Sequence, residues 1–280
     1  MKKLPYLLVL SGLISVPAFA EDAAPAAAAA PTPDYTFTAN AGIVSQYIYR
    51  GITQTARNPA IQGGFDFAHK SGFYLGTWGS SISWVSDNFG AFTGADGVNP
   101  QKASAGMEWD IYGGYKGTAG PVGYDVGLLQ YYYPGRYSNL APGVVKPNTT
   151  EIYGALSKDW LSFKLSYVVS KGLFGVDKAD GSYYADLSAN YPVTDTWTVN
   201  AHVGYQKYEG TASSGFPSNS SLYSYTDYKL GVTKDLGTGW SAMAYYSDTN
   251  AKNDGYKIAG VNGDRNLGKG AFVVGVSRTF

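Results

Sequence analysis

Two histidines, His69 and His202, are the imidazoles this chain has for acid–base chemistry, and it has no cysteine. Catalysis by a general base needs that base beside a positioned nucleophile. His69 borders the turn Lys70-Ser71-Gly72, and His202 falls midway along an alternating segment, so neither has such company. His202 reads as a hydrogen-bonding side chain. Asp248-Thr249-Asn250 and Asn262-Gly263-Asp264 carry calcium-type ligands without the spacing of an EF-hand loop, and read as polar turns. The lack of cysteine rules out disulfides and thiolate metal sites. No metal, no cofactor and no enzyme activity are expected. The remaining charges with a pattern sit at alternate positions. Asp66, Glu108, Asp110, Asp125, Glu151, Asp186 and Asp227 are acidic, and Arg50, Lys116, Lys164 and Lys229 are basic. Gathered on one face around a passage, they favour cations weakly. Asp227 is expected to pair with a neighbouring lysine and trim that excess.

The elements that must position these residues are strands. Period-2 alternation recurs in twelve segments: 35–50, 60–69, 73–84, 106–116, 122–133, 149–158, 161–171, 182–190, 196–208, 222–234, 239–248 and 270–280. In 161–171, Leu161, Phe163, Leu165, Tyr167 and Val169 share one face, while Ser162, Lys164, Ser166 and Ser170 share the other. In 106–116, Met107, Trp109, Ile111 and Tyr115 oppose Glu108, Asp110 and Lys116. The 36 glycines and 25 tyrosines in 280 residues agree, since glycine weakens helices and tyrosine suits strands.

Alternation alone does not separate a soluble sandwich from a membrane barrel. Three further features favour the barrel. Connections alternate in length: short at 70–72, 117–121, 159–160, 191–195 and 235–238, long at 51–59, 85–105, 134–148, 172–181, 209–221 and 249–269. Short periplasmic turns and long extracellular loops are the outer-membrane arrangement. Charges on the apolar face fall near segment ends, at Lys158, Lys171, Lys207, Lys234 and Arg278, where they cost little. The chain also ends on an alternating aromatic strand, Phe272, Val274, Val276 and Phe280, of the kind that closes such barrels and signals their assembly. Trp78, Trp109, Trp197 and Trp240 are expected in aromatic girdles.

The N-terminus fits export. Lys2 and Lys3 precede an apolar stretch and Ala18-Phe19-Ala20, a small-residue cleavage site. Residues 1–20 read as a signal peptide, 21–34 as an Ala/Pro-rich periplasmic linker, and 35–280 as one domain. Without Lys2 and Lys3 the 21 basic residues fall to 19, against 21 acidic, which excludes the basic excess of a nucleic-acid binder. The fold expected is all-β: a single up-and-down antiparallel transmembrane barrel in the cell outer membrane. Its partners would be outer-membrane lipid and lipopolysaccharide, the barrel-assembly machinery and small hydrophilic solutes.

The run Val44-Ser45-Gln46-Tyr47-Ile48-Tyr49-Arg50-Gly51-Ile52-Thr53-Gln54-Thr55, then Asn58-Pro59-Ala60-Ile61-Gln62-Gly63-Gly64-Phe65 and Gly72-Phe73-Tyr74-Leu75-Gly76-Thr77-Trp78-Gly79-Ser80, resembles the TorF-type porin family of proteobacteria. The resemblance implies an outer-membrane barrel with a pore and implies no substrate. A passive channel for small hydrophilic solutes or ions is the first expectation. A structural or adhesive barrel, plugged and binding through its loops, is the second, and a barrel enzyme the third. Inward glycines such as Gly64, Gly114, Gly127 and Gly231 are expected to leave room for water. Tyr153, Tyr184 and Tyr245 are expected to narrow the lumen, and loop 85–105 to fold over or into the mouth.

Overall fold

Alternating side chains become long antiparallel strands in the computed structural model, which describes residues 33–90 and 93–280. The expected signal peptide, 1–20, and residues 21–32 of the expected linker lie outside the described residues. The wall strands are β1 (Tyr35–Val44), β2 (Ala60–His69), β3 (Phe73–Ser81), β4 (Met107–Ala119), β5 (Val122–Tyr132) and β6 (Thr149–Lys158). They continue as β7 (Leu161–Val168), β8 (Tyr183–Pro192), β9 (Trp197–Lys207), β10 (Tyr225–Gly237), β11 (Trp240–Thr249) and β12 (Ala271–Thr279). Each pairs with its neighbours in sequence, and β12 closes on β1, so the described residues form a closed twelve-stranded up-and-down barrel. Closure leaves no open edge, the condition for strands to cross lipid.

Burial is inverted relative to a soluble protein. Phe65, Leu75, Leu156, Phe163, Leu230 and Phe272 point outward and are exposed, while Glu108, Asp125, Glu151, Asp186 and Asp227 are buried inside. An apolar exterior of this extent needs lipid around it. Two charges near strand ends lie over aromatic rings at the rim: Lys234 Nζ is 5.0 Å from the Trp197 ring and Arg278 Cζ is 5.5 Å from Trp240. Trp109 stacks edge-on against Tyr132, and Trp160 against Tyr191, both pairs outward. Trp78 departs from the girdle expectation: it is buried inside, against Tyr47.

The inward glycines do not leave open water space. Gly114, Gly127 and Gly231 are seats for tyrosines that lie across the neighbouring strand, and Gly64 is the seat of Trp78. A Cβ at Gly114 would meet the Tyr74 hydroxyl at 2.6 Å, one at Gly127 the Tyr153 hydroxyl at 2.5 Å, and one at Gly231 would run into Tyr245. Glycine there lets a ring lie flat on the wall, so much of the lumen is filled by aromatic side chains.

The largest departure concerns the first strand. Its alternation runs to Arg50, but the chain leaves the wall after Val44. Residues 45–58 turn into the lumen as a small hairpin, Ile48–Tyr49 paired with Ile52–Thr53. The expected extracellular loop 51–59 is therefore inside the barrel. Arg50 (φ 45°) and Gly51 (φ 75°) make its two-residue tip, where both residues need positive φ. Loop 85–105 does enter the mouth. Helix α1 (Trp84–Gly90) buries Trp84, Val85 and Phe89, and the backbone N–H groups of Ser83 and Trp84 donate to the Gln54 carbonyl at 3.0 and 3.1 Å.

Candidate functional site: a constriction inside the barrel

The hairpin starts at the long-loop end of β1 and crosses the lumen. Its tip lies against β10 and β11, where a Cβ on Gly51 would meet Asp227 Cβ at 2.6 Å and the Thr249 methyl. Arg50 then turns its guanidinium onto β6. Its two terminal nitrogens bind both oxygens of Glu151 at 2.9 and 2.8 Å, a forked pair with both partners buried. One of them also donates to Gln206 Oε1 on β9 at 2.9 Å, and Arg50 Cζ lies 4.2 Å from the Tyr184 ring centroid on β8. The Tyr225 hydroxyl on β10 donates to the Arg50 carbonyl at 2.8 Å. A second anchor lies on β4: Tyr47 donates to Glu108 at 2.8 Å, and Tyr133 donates to its other oxygen at 2.9 Å. Tyr49 bonds Tyr131 through their hydroxyls.

Apart from Asp110, the acidic residues are thus tied to partners elsewhere in the barrel. Asp66 accepts from Tyr112 and Asp125 from Tyr74, each at 2.6 Å. Asp110 is buried beside Glu108 with one carboxylate oxygen unpartnered among the described residues. Asp227 does not pair with a lysine. It takes the Tyr184 hydroxyl at 2.9 Å and His202 Nε2 at 2.8 Å. His202 Nδ1 lies 3.1 Å from Asp186, so this imidazole bridges two carboxylates on β8 and β10. Lys164 Nζ rests 4.0 Å from the Tyr153 ring centroid and Lys229 Nζ 5.6 Å from Tyr245. Among the described residues neither has a carboxylate within ion-pair distance. Lys116 lies near the short-turn rim opposite Asp125 in register and 5.5 Å from the Tyr74 ring. His69 bonds Ser71 at 2.7 Å in a short turn.

The hairpin gathers Arg50, Glu108 and Glu151 into one network. Tyr47, Tyr49, Tyr131, Tyr133, Tyr184 and Gln206 belong to that network and were missed as partners. The sequence signal was the excess of tyrosine on the polar face. The Asp248 and Asp264 side chains accept backbone N–H groups of Thr249 and Gly260, which is turn chemistry.

A family profile matches residues 27–280, described as a bacterial protein of unknown function, Gcw_chp. The chain belongs to the Gcw_chp family. No curated protein matches this Gcw_chp chain. Among solved structures it is similar to the NanC porin at 12% identity, covering 87% of this chain and 99% of that one with a TM-score of 0.49. It is also similar to the KdgM porin at 11% identity, 87% and 99% coverage and a TM-score of 0.48. A third similarity is to an outer membrane channel from Pseudomonas putida F1, at 11% identity, 89% and 97% coverage and a TM-score of 0.47.

In the Gcw_chp chain the hairpin divides the lumen into two chambers. The inner one, about 120 Å³, is lined by Lys164, Asp186, His202, Lys229 and Tyr245. The outer one, about 270 Å³, lies under α1 and the loops and is walled mainly by aromatic rings. Tyr49 and Arg50 line both.

Proposed function

We propose that this protein is an outer-membrane channel, not an enzyme, through which small hydrophilic solutes or ions diffuse past an internal constriction built by residues 45–58. The observation that carries this reading is the pair of chambers inside the barrel meeting at Tyr49 and Arg50. Lys164, Asp186 and Lys229 put charged groups on the inner chamber inside an apolar exterior, which supports a wet passage. The signal-peptide pattern, the terminal strand Phe272, Val274, Val276 and Phe280, and the resemblance to TorF-type porins all support the outer membrane as its place. They also support lipopolysaccharide and the barrel-assembly machinery as its partners.

Selectivity follows from the lining. Carboxylates outnumber bases, so cations pass more readily. The preference is weak because His202 lies between Asp186 and Asp227, and Lys164 and Lys229 present ammonium groups to the inner chamber. It fades as salt shortens the Debye length from about 10 Å at 0.1 M to about 3 Å at 1 M.

Purified, refolded protein in planar bilayers tests this reading. Discrete, small current steps with a slight cation preference across a KCl gradient are expected. A clear anion preference at low salt would overturn the selectivity assignment. Folded protein that inserts and passes no current would instead establish the second reading, a structural or adhesive barrel. That reading has its own support in the burial of Tyr47, Arg50 and Thr53 within the lumen.

A further inference from the structure

We propose that the outer chamber is a binding site for a neutral polyhydroxylated solute of one ring, a monosaccharide. The proposal deepens the channel reading by naming a solute class, and it rests on three features of the chamber.

The first is the wall. Tyr49, Trp84, Phe89, Phe174, Tyr208 and Tyr256 present rings around a space of about 270 Å³. That lies just below the range of about 300–1,000 Å³ typical of drug-sized ligand sites and suits a single ring. The tyrosines there offer ring faces more than hydroxyls. Tyr225 is committed to the Arg50 carbonyl, Tyr256 to the Tyr223 carbonyl at 2.7 Å, Tyr133 to Glu108 and Tyr49 to Tyr131. A pyranose has an apolar C–H face that packs on such rings.

The second is a set of unpartnered polar atoms. Among the described residues the indole N–H of Trp84, the Nε–H of Arg50 and the side-chain oxygen of Asn88 are buried without a hydrogen-bond partner. All three residues line this chamber. Small side-chain rotations that turn these closed-off atoms into the chamber present it with two donors and one acceptor, which call for a ligand that both accepts and donates, as neighbouring hydroxyls do. A purely aromatic ligand would leave them unpaired, which buried polar groups resist.

The third is charge. Arg50 is neutralised by Glu151, and helix α2 (Asn253–Tyr256) with its C-cap brings one acid, Asp254, and one base, Lys257. The chamber has no net charge with which to prefer an anion or a cation, so the ligand is neutral.

The test uses the full mature chain refolded in detergent and in bilayers, with D-glucose as the probe and phenol and gluconate as comparators. Calorimetry is expected to show saturable glucose binding, and glucose added on the loop side is expected to reduce the current. Trp84→Phe keeps the ring and loses the N–H, and Asn88→Leu removes the acceptor. Each is expected to weaken binding about threefold to tenfold, the worth of one hydrogen bond. Wild-type heat-modifiable mobility on gels shows that either variant has folded. Absence of saturable glucose binding, equal binding by both variants, or tighter binding of phenol or gluconate than of glucose overturns the proposal. Glucose binding by a barrel that passes no current leaves this site standing and overturns the channel reading. Current without glucose binding does the reverse.

Discussion

Replacing Arg50 with alanine should open the barrel. Arg50 makes two charge-assisted bonds to Glu151 and one to Gln206, and lies over the Tyr184 ring. Without it, Glu151 keeps only the Tyr131 hydroxyl at 3.3 Å, at a site with no solvent exposure. Breaking a buried pair by removing one partner costs about 3–5 kcal/mol, most of it from the stranded charge. That cost applies while the hairpin stays in place. If the hairpin moves out, water reaches Glu151 and the charge is hydrated. The equilibrium between seated and displaced hairpin should therefore shift by a factor on the order of 10² to 10³. Single-channel recording reads this directly. The wild type should give small, quiet steps, and Arg50→Ala larger and noisier ones. The double variant Arg50→Ala with Glu151→Gln, which strands no charge, should fall between them. A folded Arg50→Ala barrel with wild-type step size and noise would refute the account of the hairpin as the constriction.

Gly51→Ala attacks the same tip by sterics alone. Its φ of 75° and the approach of Asp227 and Thr249 leave no place for a methyl group, so larger steps are expected without any change of charge. His202→Phe leaves Asp186 and Asp227 facing each other with no donor between them. It should lose about 1–3 kcal/mol of stability in denaturant unfolding and raise the cation preference, and a variant unchanged in both refutes the bridging role. Deleting Phe280, whose N–H donates to the Ala39 carbonyl at 2.8 Å, should give poor assembly and periplasmic degradation. Heat-modifiable mobility at wild-type yield would show that the residue is dispensable. A tag inserted at Gly97 should label on intact cells and one at Gly120 should not. Labelling at Gly120 alone would invert the orientation.

The wall of this barrel was legible in the sequence because lipid outside and polar groups inside impose a strict period of two on every strand. Ser166 and Lys164 fall inside, and Leu165 and Tyr167 outside, by that rule alone. The hairpin was not legible for the same reason. Gln46, Tyr47, Ile48 and Tyr49 continue the alternation of β1, and a hairpin buried in the lumen keeps that period while it changes what each face meets. What distinguishes it is the tip, where Arg50-Gly51 lies between two short β-branched and aromatic pairs, Ile48-Tyr49 and Ile52-Thr53. Arginine is an uncommon residue at positive φ, so the turn carried little local signal. The cross-lumen network was hidden for a different reason. Parity tells which face a residue takes, while Asp227 choosing His202 over Lys229 depends on height along the strand and on rings from β8. The filled glycine seats belong to the same class, since they depend on which tyrosine lies across the neighbouring strand.

The closing seam has a kinetic consequence. β1 meets β12 over five residue pairs, Asn40–Thr279 to Val44–Gly275, whereas the same strand meets β2 over ten. Apart from the Ala39–Phe280 bonds, the rest of β1, Tyr35–Thr38, lies outside the register it shares with β12. A zip parts where it has the fewest teeth, so heat or denaturant should separate β1 from β12 before any other pair. The hairpin begins one residue after Val44, and Ser45 itself bonds the Val274 carbonyl at 2.8 Å. Loosening the seam therefore drags at the root of the hairpin, and the lifetime of the barrel and the seating of its constriction depend on one joint.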